Sequence, residues 1–270
     1  MKNNLEINIK NICNKAKKAS SLLANNSGLE RNRALKLMSN AILNNKKQIL
    51  AENKKDIRYA KSNKINENFL DRLLLTEERI ENMAKDIKNI ANLPDPLNRI
   101  LNKTFRPNGL KIYKVSVPLG VIAVIFESRP NVACDVAALC IKSGNSVILK
   151  GGREAKYTTE YLITLIKKVL LKTNISSDTV CSLKSYDRAA TKILFNMNET
   201  IDVLIPRGGK KLIESVRKES SIPVFSHLDG ICHTYIDKFA KIQMAVDIAI
   251  NAKMRRTSIC GATETILCHS

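Results

Sequence analysis

Cys260 lies in the stretch NAKMRRTSICGATETILCHS, five and four residues after Arg255 and Arg256. A thiol attacks as its thiolate, and guanidinium groups that approach a sulfur stabilise that form. This makes Cys260 the sharpest candidate nucleophile. No neighbouring histidine marks it as half of a pair, so the alternative of a small buried apolar cysteine stays open. That alternative is the reading for Cys134, Cys140 and Cys232. Asn131, in ESRPN, has a side-chain amide able to donate to a developing oxyanion. It could equally cap the helix that follows, and the two roles do not exclude each other. Lys150 precedes Gly151 and Gly152 in KGGRE. It is either a cation for a cofactor hydroxyl or phosphate, or a solvated lysine at a strand end. In PRGGK, Gly208 and Gly209 let backbone approach a ligand, and Arg207 and Lys210 add charge, so an anion could bind there. A double glycine at a tight corner is also simply a turn.

The elements that would position these residues follow from hydrophobic period. The first ninety or so residues read as helices. One opens at Thr76 with Glu77 and Glu78 in its first turn, carries Ile80, Met83, Ala84, Ile87 and Ile90 on one face, and stops at Leu93-Pro94. Arg106–Gly109 is a turn, and 109–117 alternates like a partly exposed strand. From Gly120 the texture changes. Short apolar runs at 121–126, 146–150, 179–183, 201–206, 222–228 and 233–237 suit strands. Between them lie helical segments at 132–144, 154–171, 187–197 and 210–220. Such alternation means βαβ units, so the region from about Gly120 to Asp237 is expected to be a doubly wound, mostly parallel, Rossmann-like α/β sheet. Ligands sit beyond the carboxyl ends of such strands, which selects the ESRPN, KGGRE and PRGGK loops. Residues 242–254 read as a helix with one face packed.

Composition narrows the class. With 270 residues, 44% of them hydrophobic, the chain can bury a real core. It has no Trp and 4% aromatics, so that core is aliphatic. The net charge of +20 favours anionic ligands. The lysines are scattered, however, with no basic run and no interleaved aromatics, which argues against a nucleic-acid binder. Seven cysteines without CxxC spacing argue against a disulfide framework or a zinc site. No apolar stretch suits a signal or a membrane span, so a cytoplasmic setting is expected.

Taken together, VPLGVIAVIFESRPNVACDVAALCIKSGNSVILKGGREA, IDVLIPRGGKKLIESV, IPVFSHLDGICHTYID and AVDIAINAKMRRTSICGATETIL resemble the γ-glutamyl phosphate reductase (glutamate-5-semialdehyde dehydrogenase) family, within the aldehyde dehydrogenase superfamily. The resemblance implies an aldehyde-dehydrogenase-like fold and NADPH-dependent reduction of L-γ-glutamyl 5-phosphate to L-glutamate 5-semialdehyde and phosphate, in proline biosynthesis. It implies Cys260 as the nucleophile that forms a thioester, with Asn131 and the Cys260 backbone N–H receiving the oxyanion. It implies Lys150, Gly151, Arg207, Gly208 and Gly209 as the NADP(H)-binding set, and no metal. Arg129 and Arg256 become candidates for the substrate carboxylate. Gly261 departs from the asparagine that many members place after the nucleophile. The strand region 100–117 resembles one that extends a partner's sheet, implying a homo-oligomer. Residues 1–228 are then helices plus the NADP-binding domain, and 229–270 the start of an incomplete second α/β catalytic domain. Family chains run on for roughly another 150 residues, about one further domain. ETILCHS is therefore expected to be a strand with an open edge. The alternative expectation is a truncated, catalytically inactive dinucleotide-binding fragment of that enzyme.

Overall fold

A computed structural model describes residues 2–226, 230–255, 257 and 259–270, in two units, Met1–Phe225 and Ser226–Ser270. The first begins with five helices: α1 (Lys2–Leu23), α2 (Gly28–Asn44), α3 (Lys46–Ser62), α4 (Glu67–Leu73) and α5 (Glu77–Asn92). Ser27 and Glu30 form a reciprocal capping box at the start of α2. Thr76 Oγ1 accepts the Arg79 N–H at the start of α5, as its sequence predicts. The hairpin β1 (Ile100–Phe105) and β2 (Lys111–Val115) follows, turning at Gly109 with φ +84°. Periodicity anticipated its turn and its second strand, and its first falls within the strand region 100–117 that the resemblance implied.

The remaining elements of this unit are β3 (Val121–Phe126), α6 (Asn131–Lys142), β4 (Ser146–Lys150), α7 (Lys156–Leu170), β5 (Val180–Ser182), α8 (Arg188–Leu194), β6 (Val203–Arg207) and α9 (Lys210–Glu219). A single 3-10 turn, Arg153–Ala155, leads into α7. The four strands form a parallel sheet in the order β5-β4-β3-β6. Chain order reverses at β3, so the crevice beyond its carboxyl end lies at a topological switch point.

Every residue of β3 is buried, and its side chains alternate between two cores. Ile122, Val124 and Phe126 join α2, α5, α6 and α7 on one face. Val121, Ala123 and Ile125 join α1, α8 and α9 on the other. The unbroken VIAVIF run therefore reflects burial on both faces rather than a helix. The amino end of β3 is pinned by polar groups. Gly120 has φ +125°, and a Cβ there would lie 2.1 Å from Asp202 Oδ2, so only glycine fits. Asp202 Oδ2 accepts the Val121 N–H at 2.7 Å, and both Asp202 oxygens lie 3.0 Å from Lys17 Nζ of α1.

Residues 222–228 do not form the expected strand. Within 222–226 a single parallel bridge, Leu204↔Val224, stands in its place, and residues 227 and 228 lie outside the described residues. Pro223 has no N–H for a continuing ladder. In the second unit, β7 (Cys232–Ile236) pairs in parallel with β8 (Thr263–Cys268), with α10 (Ile242–Met254) between them in sequence; among the described residues β8 pairs on one side only, an edge strand as expected. The expected packed face of α10 is absent: none of its residues is buried. Ile242, Met244, Val246, Ile248 and Ile250 spread its apolar surface around the helix, and the two short strands of this unit cannot cover it.

Phe126 is 1% exposed, whereas Phe105 on the hairpin is 64% exposed. Urea denaturation should show Phe126→Ala losing about 3–5 kcal/mol of unfolding free energy, and Phe105→Ala changing it by less than about 0.5 kcal/mol.

Candidate active site

The carboxyl ends of β3 and β4 open into a crevice of about 610 Å³, lined among others by Glu127, Ser128, Lys150, Gly151, Glu154 and Arg188. Phe126 forms part of it, and a Cβ on Gly151 would sit 3.3 Å from the Phe126 ring. Lys150 is 8% exposed. Burial pushes its ammonium below the usual lysine range, against the pull of Glu154 and Asp187. A cation this desolvated gains more from an anion in the crevice than a solvated surface lysine would.

Ser128 is held at φ +45°, outside the comfortable range for a residue with a Cβ. Glu154 holds it there: its Oε1 accepts the Ser128 backbone N–H at 2.7 Å and the hydroxyl at 2.9 Å. The two loops rimming the crevice are thus tied together. Gly152 leaves space for that carboxylate, since a Cβ would lie 2.1 Å from Glu154 Oε1. Across the crevice the Glu127 N–H donates to the Arg207 carbonyl at 3.3 Å, and Glu127 Oε2 accepts the Gly209 N–H at 3.1 Å.

Of the helices that begin near this rim, α7 and α9 differ at their N-termini. At α7 the Tyr157 and Thr158 N–H groups both donate to Asp56 of α3, which is 1% exposed. The positive end of α7 is neutralised from inside the protein. α9 starts from Gly209 with no side-chain cap, and Arg207, Gly208, Gly209 and Lys210 are all exposed. The start of α9 is more exposed than that of α7, with the Glu127 carboxylate on the Gly209 N–H, and it lies beside the double glycine that the sequence singled out.

Asn131 is the first residue of α6, with Pro130 at the cap position. Instead of capping the helix, as one sequence reading had it, its Nδ2 donates to Asp135 Oδ2 at 2.8 Å, one turn along. The fixed φ of Pro130 already directs the chain into the helix. Arg129 is partly buried and already partnered. Arg256 lies outside the described residues.

Cys260 belongs to the second unit, exposed in the turn before β8. Its carbonyl accepts from Cys232 Sγ at 3.3 Å. A Cβ on Gly230 would come within 2.7 Å of that carbonyl, so the glycine permits the close approach. Gly261 has open space beside it. Cys134 and Cys140 are buried, and desolvation raises both thiols, Cys140 to about 12. Cys232 is only partly buried, contrary to expectation, because β7 belongs to the thinly covered second unit. Of these four thiols, only Cys260 is exposed. Among the described residues no group of three His, Cys, Asp or Glu side chains could hold a metal.

Lys150 and Gly151 line the crevice; Arg207 and Gly209 do not, but each hydrogen-bonds Glu127, which does, and Gly208 lies between them. Sequence reasoning missed Glu127, Ser128, Glu154, Arg188 and Asp135 as individuals. The first three lie in loops that strand polarity had already selected; Arg188 and Asp135 carried no such signal.

The aldehyde dehydrogenase family model matches residues 3–270. The chain belongs to the aldehyde dehydrogenase family. Within it, the chain is 47% identical over 253 residues to γ-glutamyl phosphate reductase of Paramagnetospirillum magneticum, covering 94% of this chain and 60% of that protein. It is 46% identical over 257 residues to the enzyme of the same name from Allorhizobium ampelinum. The crystal structure of γ-glutamyl phosphate reductase from Thermotoga maritima superposes with a TM-score of 0.88 at 33% identity, covering 97% of this chain and 63% of that one. The Saccharomyces cerevisiae counterpart gives 0.77 at 32% identity, with coverages of 97% and 65%. The chain thus spans about 60% of the length of the curated relatives it matches.

Two outcomes follow from these contacts. Glu154→Gln weakens the bonds that hold Ser128; hydrogen exchange at residues 127–129 should accelerate, and stability should fall by about 1–2 kcal/mol. Burial raises the Asp135 carboxyl to about 6. The folded state therefore keeps a proton there that the unfolded chain loses near pH 4, and stability declines as pH rises from about 4 to 6. Thermal denaturation of Asp135→Asn against pH should lack that component, about 3 kcal/mol.

Proposed function

We propose that these residues form the cofactor-binding and nucleophile-bearing part of an NADPH-dependent reductase that converts L-γ-glutamyl 5-phosphate to L-glutamate 5-semialdehyde and phosphate, in proline biosynthesis. The observation that carries the reading is the 47% identity, over 94% of the chain, to a protein named γ-glutamyl phosphate reductase. The crevice geometry agrees with it. A dinucleotide is a phosphate-bearing polyanion, and the crevice offers a desolvated Lys150, Arg188 and a rim of glycines.

In this reading Lys150 and Gly151 hold the adenosine ribose or its phosphate. Arg207, Gly208 and Gly209 bring the α9 N-terminus to the pyrophosphate. NADPH, when bound, supplies the hydride that reduces the acyl group carried by Cys260. The Cys260 thiolate attacks the acyl carbon of the substrate; an S–C bond forms, and the C–O bond to phosphate breaks with its electron pair leaving on phosphate. One difficult displacement becomes two easier steps. Negative charge on the carbonyl oxygen is received by the Asn131 amide and the Cys260 backbone N–H. Arg129 and Arg256 are the candidates for the substrate carboxylate. The exposed apolar hairpin β1–β2, with Ile100, Leu101, Ile112 and Val115, is assigned to a contact with a second copy. The cysteines are all free thiols, as a reducing compartment keeps them, and the cytoplasm is the proposed setting.

The 60% coverage of the relatives favours a second reading, in which these residues bind the dinucleotide without turnover. Fluorescence titration with NADPH, alongside an assay of acyl-phosphate-dependent NADPH oxidation, separates the two. The first reading expects saturable binding, and oxidation that falls by roughly 10³-fold or more in Cys260→Ser. Retained oxidation in that variant would refute the thiol mechanism. Saturable binding with no oxidation in either protein selects the second reading.

A further inference from the structure

We propose that Asp135 is a positioning residue: its carboxylate fixes the Asn131 amide so that the NH2 end, not the carbonyl, is presented to the reacting oxygen. The inference rests on the reading of Asn131 as an oxyanion donor, and it deepens that reading.

An asparagine amide has two ends of nearly equal size and opposite polarity. Its χ2 is broad and roughly two-fold, and its χ1 adds further wells. A free Asn131 would spend much of its time with the wrong end, or the wrong rotamer, toward an oxyanion. The Asp135 carboxylate accepts hydrogen bonds and does not donate them. Its bond from Nδ2 at 2.8 Å therefore selects one orientation of the amide. The NH2 group has two hydrogens, so one N–H remains for a substrate oxygen. The i to i+4 spacing places the two side chains one above the other on a single helix face.

The location of Asp135 argues that it is not there to stabilise α6. It lies four residues into the helix, beyond the first turn, where a negative charge gains little from the helix dipole. It sits past the cap position, and its carboxylate accepts from the Asn131 side chain. Asp86 of α5 adds a like charge, and partial burial disfavours ionisation. The group thus imposes a stability cost and offers orientation in return, as groups at functional sites do.

The test separates position from structure. Asp135→Leu should leave unfolding free energy unchanged or higher, since a desolvated carboxylate is removed. It should lower kcat about tenfold while KM for NADPH stays fixed, as the amide redistributes over its wells. Asp135→Asn still accepts through its carbonyl, but an amide facing an amide has two equivalent orientations, so kcat should fall only about twofold. In an Asn131→Ala background, Asp135→Leu should cost nothing further. Equal losses in both backgrounds, or a full rate in Asp135→Leu while Asn131→Ala is impaired, would overturn the proposal. A full rate in Asn131→Ala would instead reject the oxyanion role of Asn131, and the proposal with it. A measurement without turnover uses the 270-residue chain with 15N-labelled asparagine. The Asn131 side-chain NH2 signal, identified by its loss in Asn131→Ala, should move in Asp135→Leu. An unmoved signal means no bond, and the proposal fails.

Discussion

The first unit depends on burying β3 on both faces while hydrogen-bonding it on both edges. A strand placed like this cannot carry polar side chains along its length, so polarity is forced to its ends. At the amino end, Asp202, Lys17 and the glycine-only conformation of Gly120 fix where the strand begins. At the carboxyl end the chain leaves the sheet at Glu127, and the polar loops of the crevice start there. Switching direction at β3 sends α6 and α7 to one face and α8 and α9 to the other. The loops after β3, β4 and β6 therefore meet in one place.

The buried polar groups explain why the start of α7 is closed to an anion. Asp56 donates its charge to the start of α7, and the neighbouring Asn53 bridges Leu73, Leu75 and Thr158, so α3 and α7 are bolted together by side chains under 3% exposed. Lys142, 4% exposed, ties α6 to Asn32 and the Ala91 carbonyl, and burial holds its ammonium below the usual range. Arg31 meets both oxygens of Asp95 at 2.9 and 2.7 Å. Most of these contacts satisfy groups that would otherwise cost a few kcal/mol to bury, although Arg31 Nε is left without a hydrogen-bond partner. Together they tie α3, α6 and α7 to their neighbours, whereas α9 starts at exposed glycines.

The second unit follows the opposite physics. A two-stranded parallel sheet and a helix apolar on several sides cannot bury one another, and α10 has no buried residue. Cys260 is presented on this unit as an exposed thiol in a turn, unlike Cys134 and Cys140, which desolvation holds protonated. Nucleophilic capacity therefore separates by burial, and residue type alone says nothing about it.

Sequence by itself determined the alternation of strands and helices from β3 to α9, the N-cap at Thr76, the glycine turn at 109, and the three loops where a ligand would sit. These are short-range consequences of hydrophobic period, proline and glycine. Its long ordered blocks also carried the family. It could not decide that 222–226 contributes a bridge rather than a strand, that 100–105 folds back to pair, or that α10 lacks a covered face. Those depend on which partner each backbone edge and apolar stripe meets. Nor could it reveal Glu154 on Ser128, Glu127 on Gly209, or Asp135 on Asn131. The first two join residues from different loops, which come together only after the sheet has set their spacing. The third was within reach of an i to i+4 reading. Whether Asn131 caps the backbone or turns to Asp135 was settled by the packing that placed Pro130 at the cap.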